Sequence, residues 1–197
     1  SAGGGRDAPY SVRIGADLSF GPSGEAGSGP ARFVQGVSSV RGGGLAGGGC
    51  VGSHSSFTSN CRGLWIFGLA PDGGTSFQTA PDALSRTETR AIVRSKGGFV
   101  GVGVKNGNSS NYDLVAVKVD LNGNVLWDLP LGGSGRDAGN GITAFPDGSL
   151  AVGGYTNSSD GDLWFRGRRS RGTVGWIVKI APDAKSVQRI RRSPVAE

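Results

Sequence analysis

The chain has 197 residues, enough for one domain with a real core, and a formal charge of +6 at neutral pH. Its 38 glycines and the lack of any sustained 3.6-residue apolar period exclude a helical protein, because glycine is costly inside helices. One histidine and two cysteines leave no His-rich metal centre to build.

The first recognisable element is Tyr10-Ser-Val-Arg-Ile-Gly15. It returns as Trp65-Ile-Phe-Gly-Leu-Ala70, Val115-Ala-Val-Lys-Val-Asp120 and Trp176-Ile-Val-Lys-Ile-Ala181. The last three copies run into a turn, at Pro71-Asp72-Gly73, Leu121-Asn122-Gly123 and Pro182-Asp183-Ala184, which is strand and hairpin chemistry. Between these copies lies a second phrase, an apolar strand, a glycine-containing turn and a glycine-rich strand, beginning at Val37, Ile92 and Ile142. Residues 11–50 can be laid on 116–155 without a gap, which places Gly36 on Gly141, Val37 on Ile142, Leu45 on Leu150 and Gly48 on Gly153. From Ile14 to Leu69, Val119 and Ile180 the spacings are 55, 50 and 61 residues. A period near 40 to 50 residues holding four short strands marks a β-propeller blade.

The expectation is an all-β, β-propeller-type array of four-stranded units in a single domain. Residues 31–80, 81–135 and 136–197 form three complete units, the last carrying a basic insertion at 165–175, and residues 1–30 supply only the outer half of a fourth. Two arrangements follow, a closed small ring of about four blades with one incomplete, or a larger ring whose other strands belong to another polypeptide; an isolated array with exposed strand edges is an aggregation hazard, which favours the second.

Cys50 and Cys61 bracket a 12-residue segment where the second strand of the first unit passes to the third. A disulfide there would be worth roughly 2 to 4 kcal/mol, and it points to an oxidising compartment. The absence of methionine and the Ser1-Ala2-Gly3 start fit a processed, exported chain, with an extracytoplasmic location.

No catalytic constellation is visible. His54 is the lone histidine and lies inside the cysteine-bracketed segment; Asp72, Asp147 and Asp183 occupy turns, where aspartate is favoured for its local hydrogen bonds. The oxygen-rich stretches Asp120–Asn124 and Asn157–Asp162 suggest calcium, yet neither has the pattern of a calcium loop, and turn formation explains both. No cofactor or metal is expected. Trp65, Trp127 and Trp176 fall at strand positions suited to packing between sheets. Trp164 instead precedes Arg166, Arg168, Arg169 and Arg171, a run of planar cations suited to a partner's carboxylate or phosphate groups.

Val117-Lys-Val-Asp-Leu-Asn-Gly-Asn-Val-Leu-Trp127, Leu131-Gly-Gly-Ser-Gly-Arg-Asp137 and Gly153-Gly-Tyr-Thr-Asn-Ser-Ser-Asp160 together resemble the blades of bacterial secreted β-propeller repeat proteins. The resemblance spans about residues 10–184 and is closest in the second and third units. Gly123-Asn-Val-Leu-Trp127 is also distantly similar to the tryptophan-docking repeats of quinoprotein dehydrogenases. The resemblance implies fold and secretion and leaves activity open.

The expected role is a non-enzymatic subunit acting as an interaction or assembly module in an extracytoplasmic complex. Its partners are polypeptides with an acidic surface, or anionic glycans or lipid headgroups; nucleic acid is not expected. The alternatives are a fragment of a propeller enzyme, quinone-dependent or glycan-active, and a small lectin.

Overall fold

The computed structural model describes residues 10–11, 24–25, 32–40, 42–55, 58–105, 111–162 and 172–189, with backbone alone at 10–11, 24–25, 32–33, 52–55, 58–62 and 189. Strands β1 (Tyr10–Ser11) and β2 (Gly24–Glu25) form a short antiparallel pair. Three four-stranded antiparallel sheets follow, each with its strands in chain order. The first holds β3 (Arg32–Ser39), β4 (Leu45–Ser55), β5 (Thr58–Leu69) and β6 (Thr75–Thr79). The second holds β7 (Thr87–Ser95), β8 (Gly98–Lys105), β9 (Asp113–Asp120) and β10 (Val125–Leu131). The third holds β11 (Asp137–Ala144), β12 (Leu150–Thr156), β13 (Val174–Ile180) and the short β14 (Val187–Arg189). Among the described residues there is no α-helix; Asp82–Leu84 makes one 3₁₀ turn.

The turns are built as their composition requires. Ala70, Asp120, Phe145 and Ala181 each donate their N–H across a turn, to the carbonyls of Gly74, Asn124, Ser149 and Ser186. Gly73, Gly123 and Gly148 supply the positive φ these turns need, at 89°, 87° and 86°. Ala184 holds the same place in the last turn at φ 59°. The turn aspartates brace their own loops: Asp72, Asp147 and Asp183 each accept from the N–H two residues on.

The core lies between sheets and not within them. Ile66, Leu64 and Ala46 of the first sheet pack against Val115, Val117, Val119 and Phe99 of the second. On its other face the second sheet sets Val100, Val102, Leu114 and Ala116 against Leu150, Val152, Trp176 and Val178 of the third. Burial of these two largely apolar interfaces is the main stabilising term. Trp65 and Phe67 stack at 4.4 Å on the remaining face of the first sheet, and both are buried.

The segment bracketed by the cysteines departs from the loop expected there. β4 and β5 run on past their neighbours as a long hairpin arm, with Gly52 opposite Cys61 and Ser55 opposite Thr58. Val51 and Thr58 are strand-favouring residues within that stretch. Cys50 is buried on β4; the side chain of Cys61, and with it the expected disulfide, lies outside the described residues.

Candidate functional site

Three features stand out from the regular packing, and the first is a sheet face with no neighbouring sheet among the described residues. Ile66 of the first sheet and Ala116 of the second point toward the following sheet and are 0% exposed. Ile177 holds the corresponding place in the third sheet and is 50% exposed. The glycines repeat the contrast. A β-carbon placed on Gly36 would stand 2.8 Å from the Cα of Ala91, and one on Gly48 would stand 2.5 Å from Cγ2 of Thr89, both in the following sheet. Their counterparts on the third sheet are Gly141, with nothing within 4 Å, and Gly153, whose nearest neighbour is a carbonyl of its own sheet at 3.9 Å. The third sheet thus carries the small residues that let a neighbouring backbone approach closely, with no neighbour among the described residues.

A second feature repeats along the inner strands. Each ladder between the first two strands of a sheet breaks register once: between Val34 and Gly36, between Thr89 and Ala91, and between Gly139 and Gly141. Gln35, Arg90 and Asn140 are the surplus residues at these bulges, and a bulge re-aims the side chain it frees. β7 lies between β3 and β11, and the Arg90 guanidinium donates to Asn140 Oδ1 at 3.1 Å. Arg90 also pairs with the almost fully buried Glu88 at 2.6 Å. Burial works against the Arg90 charge, but the hydrogen bond and charge of Glu88, with Tyr155 behind them, hold its pKa above the ordinary value.

The third feature joins the second and third sheets at their polar end. Tyr112 and Tyr155 share a hydroxyl–hydroxyl hydrogen bond of 2.6 Å. Burial and that bond push the Tyr112 hydroxyl up to about 12, against the pull of Arg90 and Arg136. Burial also raises the Asp113 carboxyl, helped by the charges of Asp137 and Asp162. The oxygen-rich segment 157–162 serves the backbone beside it. Asn157 Oδ1, Ser158 Oγ, Asp160 Oδ1 and Asp162 Oδ2 accept from the N–H groups of Arg136, Gly135, Ser134 and Gly132. Among the described residues no group of three or more acidic, cysteine or histidine side chains is disposed to hold a metal ion.

No protein-family model matches the chain, and no curated protein matches it. The geometry alone therefore carries the functional reading. Trp164, Arg166, Arg168, Arg169 and Arg171 lie outside the described residues; they belong to the connection between β12 and β13. The bulge residues were missed in the sequence, although a signal existed: Gln35 coincides with Asn140 in the ungapped superposition, each followed by a glycine. Among the described residues no helix is long and apolar enough to cross a membrane.

Proposed function

We propose that the chain is a propeller-type assembly module whose third sheet receives a further β-sheet from a partner polypeptide. The supporting observation is that, among the described residues, nothing covers one face of that sheet, where Ile177, Gly141 and Gly153 keep the size and polarity of residues that are buried between sheets elsewhere in the chain. A glycine-smoothed face that carries an exposed isoleucine is suited to close packing against another sheet. The exported, extracytoplasmic setting and a Cys50–Cys61 bridge belong to the same reading. Intact masses differing by two hydrogens before and after reduction would establish the bridge.

Substitution of the uncovered glycines tests the function. Gly141→Val and Gly153→Val have room in the chain by itself, and valine suits strands, so both variants should fold as stably as the parent. In the assembly their side chains occupy the space of the incoming sheet. Native mass spectrometry should show the parent with a second polypeptide and the double variant as a lone particle. A parent that is itself a lone 20.0 kDa particle, or a double variant that keeps its partner, would overturn the reading.

A further inference from the structure

The two sheet interfaces inside the chain are fitted by size, and the fit alternates. On the face that each sheet turns toward the next, one pair of cross-strand neighbours holds equivalent places beside the bulge. The pair is Gly48 and Ile66 in the first sheet, Val102 and Ala116 in the second, and Gly153 and Ile177 in the third.

The sheet that follows supplies the opposite sizes. Gly48 leaves room for Thr89, whose Cγ2 would stand 2.5 Å from a β-carbon on that glycine. Val102 fills the same place one sheet on, and there it meets Gly139, where an added β-carbon would lie 3.3 Å from Val102 Cβ. Thr89 and Gly139 are themselves equivalent, each being the last paired residue before its bulge. At the neighbouring place the order is reversed. Ile66 reaches over Gly101, its Cδ1 3.4 Å from where a β-carbon there would be. Ala116 is smaller, and Val152, which holds the place of Gly101 in the third sheet, is buried in the same cluster. Protein interiors are packed densely enough that even one methylene too many or too few is felt.

The open face of the third sheet carries Gly153 and Ile177, which is the combination of the first sheet and not of the second. We propose that the sheet it receives carries the second sheet's set: a β-branched residue of threonine size opposite Gly153, and a glycine opposite Ile177. This rests on the assembly reading and says which surface the partner presents. A second copy of the chain does not supply it. Gly47 holds the place of Gly101 in the first sheet, but the Phe67 ring lies against it and Trp65 stacks on Phe67, both buried. The partner is therefore a propeller-type unit of different sequence.

Extension of the full chain at its C-terminus, through a flexible glycine–serine linker, tests the match with surfaces of known sequence. One version appends a copy of residues 81–135, and the other a copy of residues 136–189, which brings Gly139 and Val152 to the face in place of Thr89 and Gly101. Ile177 is 50% exposed in the parent, so a soluble paramagnetic agent should relax its methyl groups strongly. The copy of 81–135 should remove most of that relaxation, and the copy of 136–189 should leave it. In the first version Gly153→Val should bring the relaxation back, and Thr89→Gly in the appended copy should remove it again, recreating the Val102–Gly139 match. Equal protection by both copies, protection by neither, or no rescue by Thr89→Gly would overturn the proposal. Native mass spectrometry of the parent decides separately whether a partner arrives at all, so the two readings can fail independently.

Discussion

A few side chains set the local chemistry, and Tyr112 gives it a measurable pH signature. Burial and the hydroxyl of Tyr155 hold its proton to about 12, against an ordinary value of 10.0. The folded state then binds that proton more tightly than the unfolded chain does. Its contribution to stability is complete below the ordinary value and falls as the pH climbs toward the folded one. Denaturation midpoints collected across this alkaline range should drop with rising pH, and Tyr112→Phe should flatten that drop. Asp113 follows the same sign at the acid end: its raised carboxyl favours the protonated form in the fold, so its contribution fades as the pH rises through the carboxylate range. The opposite sign applies to Asp120, whose pKa is lowered by the side chain of Asn124 and then by the N–H groups of its own turn.

Strands and turns were the legible part of the sequence, because their signals are local. The alternating phrase around Val115–Asp120 and the turn at Leu121–Gly123 became β9 and the hairpin to β10 as read. What lay beyond reading were the long-range duties of residues with sound local explanations. Asn157–Asp162 reads as turn chemistry, yet its oxygens serve the N–H groups of Gly132, Ser134, Gly135 and Arg136, each more than twenty residues away along the chain. The bulges were hidden for another reason: a surplus residue alters pairing without altering composition. Glycine in strands provides the sharpest test at this scale, since equivalent positions have opposite surroundings. Gly48→Val drives a side chain into Thr89 and should cost about 1 to 3 kcal/mol in denaturant unfolding. Gly153→Val, on the open face, should gain up to about 1 kcal/mol from relief of glycine's backbone entropy.

Across the whole molecule, an all-β propeller-type array of three complete four-stranded units and a partial fourth was anticipated, and the structure shows three four-stranded antiparallel sheets with the core between them. Closure into a ring belongs with the proposed partner sheet, and we propose that the basic insertion takes part in the same encounter. Replacing Arg166, Arg168, Arg169 and Arg171 with alanine should slow association at low ionic strength and matter little at high salt. Stopped-flow association rates across a salt series would show this, and salt-independent rates in the parent would remove the insertion from the interface. The composition carried this charge plainly, while nothing in it could say which sheet face was left without a neighbour: Ile66, Ala116 and Ile177 look alike in sequence and differ only in what stands opposite them.

Gln35, Arg90 and Asn140 have one further consequence. Each occupies a place in its strand that has no opposite number in the ladder, so its identity can change without disturbing the pairing on either side. A scaffold of this kind separates the residues that keep its shape from those that meet the outside world. The exposed Gln35 and Asn140 are the positions free to vary, so that related chains could present different chemistries from the same rigid frame, whereas Arg90 is held by the buried Glu88.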